Sequence, residues 1–358
     1  MYRSFEVDNF RCFNRLVVPN LNRINLIAGL NNVGKTAFLE ALFLHCGAYN
    51  PALTIPVSAL RGAGEARIDF SNWGDAPWNS IFRDFDTSRP VRLVGDNEST
   101  GRRTLTLTSS SRVGEVANLG KYFAETRDRL TSPLQQSGRV LLLEYEQAGT
   151  HGKHELIIDS KGIRVEPPAP PGPFPGFFVS DRMPSGSSED AELFGKLEIE
   201  NKQHALLRAL RLIEPKLQRL AMVFVGGMPI LHGDIGTNRL MPLPLMGGGM
   251  SRSLSVILRL CNASRGVILV DEIENGLHHS VMKGLWTTIG ELAREFDAQV
   301  FATTHSLECI TSAQQAFASR VERDFSLHRL ERAKDSIRVV SYDQQALAAA
   351  IETGLETR

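Results

Sequence analysis

The apolar and polar positions divide the chain into two ends with α/β patterns and a middle with a hairpin pattern. Near the N-terminus, residues 4–13 alternate between apolar and polar side chains and residues 16–18 are apolar, which predicts two strands. The apolar run 24–28 predicts a buried strand, and residues 36–45 predict a helix. The apolar side chains expected on one face of this helix are Phe38, Leu39, Leu42 and Phe43.

The middle of the chain favours antiparallel strands followed by a helical segment. A β-rich subdomain is predicted over about 88–166, with strands at 104–108, 140–145, 155–159 and 163–166, turns at Gly152 and 159–162, and a helix at 116–130. The prolines of 167–176 exclude a helix or an inner strand and indicate a stiff linker. A helical pattern then covers 187–215, within a helical insertion that we assign to 187–225.

The C-terminal part alternates helices with apolar strands, which is typical of a parallel sheet. The predicted elements are helices at 252–263, 281–296, 307–318 and 344–353, buried strands at 267–270 and 299–303, and hairpin strands at 325–330 and 336–341. No internal repeat is visible, and we expect a single domain over residues 1–358.

Composition describes an ordinary globular protein, with 42% hydrophobic and 22% charged residues. A formal net charge of zero gives no support to general nucleic-acid binding, although a local basic patch stays open. No apolar run approaches the roughly 20 residues that span a membrane, and the N-terminus lacks a signal-peptide pattern. The four cysteines are scattered, which indicates reduced thiols and no zinc site, so we expect a cytoplasmic protein.

Residues 29–36, GLNNVGKT, match the phosphate-binding loop G-x-x-x-x-G-K-[ST]. Gly29 and Gly34 let the backbone wrap around a phosphate with its N–H groups pointing inward. Lys35 is expected to reach the β- and γ-phosphates, and the Thr36 hydroxyl to bind Mg²⁺. The candidate nucleotide contacts are Gly29, Asn31, Asn32, Val33, Gly34, Lys35, Thr36 and Ala37. The strand before the loop and the helix after it complete an anion site, so the sequence predicts binding of a nucleoside triphosphate.

Two carboxylates follow the apolar strand at 267–270. In a parallel sheet the carboxyl ends of the strands face the ligand crevice, so Asp271 is the candidate for holding Mg²⁺. Glu272 lies one residue further and is the candidate base that orients and deprotonates the attacking water. Such a pair ends many buried strands, but together with a complete phosphate loop it indicates the second half of a nucleotide site.

A histidine and a glycine-rich loop complete the candidate chemistry. His305 follows the buried strand at 299–303, from where it can sense the terminal phosphate. The segment 246–252, MGGGMSR, precedes an amphipathic helix and places Ser251 in its first turn. Three glycines at a helix N-terminus form a second anion site, one without a lysine of its own.

These motifs, in this order, resemble the ABC-type ATPase fold. The resemblance is closest to its soluble branch, which contains RecF, the chromosome-maintenance proteins and the overcoming-lysogenization-defect (OLD) ATPases, and to stand-alone bacterial AAA family ATPases similar to the OLD domain. The phrases that carry it are NFRCF at 9–13, GLNNVGKTAFLEA at 29–41, DEIENGLH at 271–278 and TTHS at 303–306. It implies an α/β, ABC-type P-loop ATPase with a mixed central sheet, an antiparallel β subdomain and a helical insertion. Segments 1–50 and 240–345 would be its nucleotide-binding core.

The resemblance further implies that the ligands are ATP and Mg²⁺ and that ATP joins a head-to-tail homodimer. In such a dimer, each ATP lies between the phosphate loop of one copy and the glycine-rich segment of the other. Leu277 and His278 would cross the interface, Arg11 would lie near the nucleotide, and hydrolysis at Glu272 would loosen the pair. The residues that would contact the γ-phosphate of the partner are Gly247, Gly249, Ser251 and Arg252.

The chain departs from the family pattern at three points. The serine of its glycine-rich segment follows the glycines, and no Q-loop glutamine can be assigned in 51–110. About 50 residues follow His305, too few for the Toprim nuclease domain that OLD nucleases carry. We therefore expect an ATPase that switches a separate effector, such as a nuclease, in bacterial phage defence.

The alternative is a RecF-like ATPase for DNA repair or DNA clamping. The phrase at 9–13 suits this alternative, but the small basic cluster of Arg208, Arg211, Lys216 and Arg219 is typical of a solvated face. A transporter subunit is disfavoured because the transporter signature is missing, and a GTPase because residues 201–204 lack the guanine-reading aspartate.

Overall fold

The computed structural model describes residues 1–59, 76–112, 138–159, 162–180, 188–318, 324–334, 336–353 and 357. The strands in chain order are β1 (Tyr2–Phe10), β2 (Phe13–Val18), β3 (Ile24–Ala28), β4 (Val91–Asn97), β5 (Gly101–Arg112), β6 (Gly138–Gln147), β7 (Thr150–Asp159), β8 (Gly162–Glu166), β9 (Gly176–Val179), β10 (Arg219–Val225), β11 (Met228–Asp234), β12 (Met241–Pro242), β13 (Val267–Val270), β14 (Gln299–Thr303), β15 (Phe325–Ala333) and β16 (Ser336–Tyr342). The helices are α1 (Lys35–Cys46), α2 (Thr54–Ala59), α3 (Ser188–Ile199), α4 (Gln203–Arg211), α5 (Gly248–Asn262), α6 (His279–Glu295), α7 (Leu307–Phe317) and α8 (Gln344–Glu352).

The central sheet has the strand order β16-β15-β3-β14-β13-β9. Strands β15, β3, β14, β13 and β9 run parallel, and β16 pairs antiparallel with β15, so the predicted mixed sheet is confirmed. The predicted bounds of β3, β13 and β14 are confirmed as well. These three strands are buried along their whole length, which explains why their sequences are mainly apolar and do not alternate with polar residues.

Two hydrophobic cores lie on opposite faces of the central sheet. In β13, Ile268 and Val270 join the core that contains residues of helices α4 to α7, whereas Val267 and Leu269 join the core that contains α1 and the N-terminal strands. The alternation follows from the two-residue period of a strand. Phe38, Leu39 and Leu42 of the predicted apolar face of α1 lie in this second core, and Phe43 packs against it. The helix is buried beyond that face, around most of its circumference.

A second, antiparallel sheet has the strand order β2-β1-β4-β5-β6-β7-β8. The N-terminal hairpin thus belongs to the sheet of the β-rich middle, although it packs over the phosphate loop. The Gln299 side chain links the two sheets, since its Oε1 accepts from the Tyr2 amide at 2.7 Å and its Nε2 donates to the Tyr2 carbonyl at 2.9 Å. A third sheet contains β10, β11 and β12.

Several predicted boundaries are wrong, each for a local reason. The strand predicted over 4–13 ends at Phe10, because Arg11 adopts a positive φ of 49° and turns the chain into β2. Gly152 lies inside β7, and the turn is made by Ala148 and Gly149, both with positive φ. The predicted turn at 159–162 joins β7 to β8, but residues 160–161 lie outside the described residues, as does the predicted helix at 116–130.

The insertion between β9 and α5 differs most from the prediction. The helix predicted over 187–215 is two helices, α3 and α4, separated around Asn201, which has a φ of 55°. Residues 219–225 of the predicted helical insertion form strand β10. The helix predicted to begin at Arg252 begins at Gly248. Within the described residues, no helix is long and apolar enough to cross a membrane.

Candidate nucleotide site

A cavity of about 510 Å³ opens at the carboxyl ends of β3, β9 and β13, beneath the turn between β1 and β2. The parallel strands dictate this position, because their carboxyl ends meet at one edge of the sheet. The residues that we predicted from the sequence and that line the cavity are Arg11, Asn31, Asn32, Gly34, Lys35, Thr36, Ala37, Asp271 and Glu272. Val33 is buried, with 4% of its surface exposed, and packs in the core under the loop.

The phosphate loop requires glycine at both of its fixed positions. Gly34 has a φ of 101°, and a Cβ there would lie 2.7 Å from the Cys12 Sγ and from the Phe13 ring. Gly29 has a φ of 145°, and its Cβ would lie 2.7 Å from the Leu330 carbonyl oxygen. Backbone conformation and close contacts therefore exclude a side chain at either position.

The Lys35 side chain folds back onto the phosphate loop. Its Nζ donates to the carbonyl oxygens of Gly29 at 2.8 Å and Leu30 at 3.0 Å. Burial lowers the pKa of Lys35, while the nearby carboxylates Glu272, Glu274 and Asp271 act to raise it. The Lys35 ammonium is therefore surrounded by carboxylates, and an anionic ligand bound to it would lie close to them as well.

Asp271 and Thr36 bring a carboxylate and a hydroxyl together. The Thr36 Oγ1 lies 3.0 Å from Asp271 Oδ1 and 3.1 Å from Oδ2, and the Thr303 hydroxyl donates to Oδ1 at 2.7 Å. Burial raises the pKa of Asp271, against the opposing effect of these hydrogen bonds. Mg²⁺ prefers oxygen ligands and takes one or two carboxylates together with water and phosphate oxygens, so the pair fits this ion.

Glu272 is held at both ends. Its amide donates to the Thr303 hydroxyl at 2.8 Å, and its Oε2 accepts from the Asn275 side chain at 2.5 Å. Its φ of 46° lies in the left-handed region, which turns the chain sharply at the end of β13. The carboxylate consequently borders the cavity beside Asp271.

His305 lies outside the lining of the cavity. Its side chain is 44% exposed, and its Nδ1 lies 3.3 Å from Glu274 Oε1. The histidine follows β14, as predicted, but in this chain alone it contacts a carboxylate and faces solvent.

The glycine-rich segment also lies outside the cavity. Gly247 precedes α5 with a φ of 105°, and Gly249 packs against the turn between β13 and α6, where its Cβ would lie 3.2 Å from the Gly276 oxygen. Arg252 is directed into its own chain, where its guanidinium donates to the Ser180 carbonyl at 3.0 Å and to the Asp271 carbonyl. The predicted contact of Arg252 with a partner's phosphate therefore competes with bonds within its own chain.

Arg11 borders the cavity, but its guanidinium is engaged. Its Nε lies 2.6 Å from the Glu40 carboxylate of α1, and its terminal nitrogens donate to the carbonyls of Ser80 and Val57 at 3.3 Å and 3.1 Å. Glu40 is fully buried, so the pair fastens the β1–β2 turn to α1.

Comparison with known proteins bears on the fold and on the class of protein. Residues 164–310, which include the ends of β9, β13 and β14, match the family model described as "AAA domain, putative AbiEii toxin, Type IV TA system". This segment is thus similar to an AAA-family ATPase domain. Its likeness to the SMC head bound to the C-winged helix domain of ScpA, with a TM-score of 0.51 and 12% identity over 98% of this chain and 99% of that one, confirms the predicted ABC-type fold.

Two relatives are similar to the chain in sequence. The chain is similar to an ATP/GTP phosphatase of Helicobacter pylori, with 23% identity across 91% of this chain and 90% of that protein. A 48-residue stretch, 13% of this chain and 22% of the relative, is 44% identical to an uncharacterised protein of Methanocaldococcus jannaschii.

Four residues that line the cavity were not among the predicted site residues: Cys12, Glu40, Phe178 and Ser180. Phe178 and Ser180 were missed because β9 follows the proline-rich stretch, which concealed it. The apolar run Phe177-Phe178-Val179 was the signal that a strand resumes there.

Proposed function

We propose that this ATPase uses Mg²⁺ and acts as a cytosolic switch, in which ATP joins two copies head to tail and hydrolysis separates them. The observation that carries the proposal is the division of the predicted site residues. The phosphate loop and the carboxylates after β13 line one cavity, whereas Gly247, Gly249 and Ser251 lie outside the cavity of their own chain. A second copy would supply the missing side of the site.

Each residue of the cavity has a role in the proposed reaction. Lys35 would exchange the two loop carbonyls for β- and γ-phosphate oxygens. Thr36 and Asp271 would hold Mg²⁺, which neutralises the developing charge on the phosphates. Glu272 would accept the proton of the attacking water, since it lines the cavity next to Asp271.

Exposed apolar side chains support the pairing geometry. Leu30 in the phosphate loop is 70% exposed, and Leu245, just before the glycine-rich segment, is 74% exposed. In a twofold head-to-tail pair, the phosphate loop of each copy would face the glycine-rich segment of the other. Leu30 of each copy and Leu245 of its partner would therefore be buried in the interface. Burial of such side chains favours association.

The test is the mass of Glu272→Gln in solution with and without ATP and Mg²⁺, measured by size-exclusion light scattering. We expect 39.6 kDa without nucleotide and twice that mass with it, because the variant binds ATP and does not hydrolyse it. Lys35→Ala with ATP is the matched control and should stay at the lower mass. An unchanged mass of Glu272→Gln would contradict the ATP-gated dimer.

We further propose that the dimer controls a separate effector, a nuclease, in bacterial phage defence. The family description names a toxin of a type IV toxin–antitoxin system, and the SMC head of similar fold is bound to a separate protein. Affinity purification of Glu272→Gln with ATP from its native host should retain an effector that Lys35→Ala does not retain. DNA cleavage by the purified chain alone would count against a separate nuclease.

The alternative of a DNA-clamping ATPase has less support. Arg208 pairs with Glu295, Arg219 pairs with Asp234, and Arg211 donates to the carbonyls of Leu217 and Gln218. These cations are thus engaged within the chain. Stimulation of ATP hydrolysis by DNA at low salt would favour this alternative.

A further inference from the structure

Glu274 is a third carboxylate near the end of β13, and the reaction proposed above does not use it. Its Oε1 accepts from the Thr304 hydroxyl at 2.7 Å and from the His305 amide at 2.9 Å, and the His305 Nδ1 lies 3.3 Å away. The side chain is only 12% exposed. One carboxylate oxygen of Glu274 therefore contacts three groups of the turn that follows β14, namely the Thr304 hydroxyl, the His305 amide and the His305 ring.

The backbone of this turn is fixed independently of the ring. The Thr304 amide donates to the Ile27 carbonyl at 3.0 Å, and the Ser306 amide donates to the Thr304 hydroxyl at 3.0 Å. The Ser306 hydroxyl then accepts from the Cys309 amide at 3.1 Å and caps α7. With the backbone held from both sides, the orientation of the half-exposed imidazole is the remaining freedom, and Glu274 is the side chain that contacts it.

The negative charge of Glu274 would by itself repel a bound triphosphate, so binding of the nucleotide does not explain why a carboxylate stands here. Glu274 belongs to the acidic neighbourhood of Lys35 and acts on its pKa together with Asp271 and Glu272. Glutamine would offer the same oxygen to Thr304 and to the His305 amide without the negative charge. The charge therefore matters for the imidazole, because a carboxylate is the stronger acceptor for a ring N–H.

We propose that Glu274 is a positioning residue that keeps the hydrogen of His305 on Nδ1 and turns Nε2 towards the side where the terminal phosphate would lie. The hydrogen bond made by one ring nitrogen decides which nitrogen carries the hydrogen and where the other one points. The proposal rests on the proposed function for the identity of the ligand at Nε2. The contact between Glu274 and the ring is a property of the nucleotide-free chain.

The first test is nitrogen NMR of the whole chain labelled with ¹⁵N-histidine, without nucleotide and at a pH where the ring is neutral. His305→Gln identifies the signals of His305 among those of the nine histidines. We expect the Nδ1–H tautomer in the wild type and a shift towards the Nε2–H tautomer in Glu274→Gln. A wild-type ring protonated on Nε2 would overturn the proposal, and this outcome does not depend on the folding of any Glu274 variant.

The second test separates positioning from a structural role. In Glu274→Gln we expect the KM for ATP to stay within about twofold and kcat to fall at least about tenfold, the lower end of the range for losing a residue that orients a functional histidine. The matched control is Glu308→Gln, which removes the charge of a carboxylate that accepts from Ser306 at 2.8 Å and should leave kcat unchanged. Equal loss in both variants would overturn the proposal. A tautomer shift without any hydrolysis by the wild type would instead contradict the proposed function.

Discussion

The two sides of the proposed ATP site differ in how much of their geometry one chain supplies. On the phosphate-loop side, Lys35 already donates to the carbonyls of the loop after β3, and Thr36 of α1 is already hydrogen-bonded to Asp271 after β13. On the glycine-rich side, Gly247 and Ser251 contribute nothing to the cavity of their own chain, and the ring of His305 faces solvent. The first side is preorganised for a ligand, and the second is displayed on the surface.

This difference suggests a division between affinity and switching. A preorganised half lowers the ordering cost of binding, so a single copy should bind nucleotide by itself. The exposed glycine-rich side would contact nucleotide only when a second copy binds, so nucleotide binding can be coupled to dimerisation. Variants of the first half should therefore affect binding and chemistry, and variants of the second half should affect assembly.

The largest expected effect is the loss of nucleotide affinity in Lys35→Ala. Removing two charge-assisted hydrogen bonds to phosphate, worth about 2 kcal/mol each, weakens ATP binding about 1,000-fold. Isothermal titration calorimetry measures the affinity, and Lys202→Ala, a surface lysine paired with Glu200, is the control. If Lys35→Ala bound ATP as tightly as the wild type, the phosphate-loop side would not be the side that determines nucleotide affinity.

Asp271→Asn tests how much the fold is destabilised by burying the carboxylate that is expected to bind Mg²⁺. Turnover that depends on Mg²⁺ should fall about 100-fold with loss of the carboxylate ligand, whereas the melting temperature should rise. Burial raises the pKa of Asp271, so its protonated form favours the fold, and that stabilisation is lost as the pH rises from the unfolded pKa through the folded one.

The stability advantage of Asp271→Asn over the wild type should therefore grow across that interval and then stay constant up to neutral pH. Thermal melts from pH 3.5 to 8 measure it. A wild type that is more stable than the variant at pH 7 would mean that the hydrogen bonds from Thr36 and Thr303 outweigh the burial of the charge.

Local signals account for how much of this site could be predicted. The phosphate loop, β13 with Asp271, and β14 with its histidine are each encoded within about ten consecutive residues, and the structure has these strands at the predicted positions. Contacts between distant segments had no such signal. Strand β9 pairs with β13 far along the chain, and Glu40 in α1 meets Arg11 in a turn.

The direction of the Arg252 side chain shows the same limit. The sequence associates it with the glycine-rich segment and hence with a partner's phosphate, but its guanidinium bonds carbonyls after β9 and β13. That contact depends on β9 and β13 being neighbours, which the sequence did not indicate.

Arg252→Lys and Ser251→Ala sharpen the comparison on the displayed side. Lysine cannot span the carbonyls of Ser180 and Asp271 as the guanidinium fork does, so Arg252→Lys should lower the free energy of unfolding by about 2 kcal/mol. Ser251→Ala should keep the melting temperature and ATP affinity but lose the ATP-dependent dimer. Chemical denaturation and light scattering measure the two effects, and a stable Arg252→Lys that fails to dimerise would assign the arginine to the partner's site.

The smallest effect concerns the exposed thiol at the mouth of the cavity. Cys12 lines the cavity above Gly34, and the other three cysteines are buried. Alkylation by iodoacetamide should therefore select Cys12, and ATP with Mg²⁺ should slow it about tenfold if the nucleotide is held at about ten times its dissociation constant, because the bound site is then mostly covered. Mass spectrometry of the digested protein measures the rate, and Lys35→Ala should show no protection. Because a single copy suffices for this effect, protection at protein concentrations too low for pairing would establish that the loop side binds ATP before the displayed side is covered.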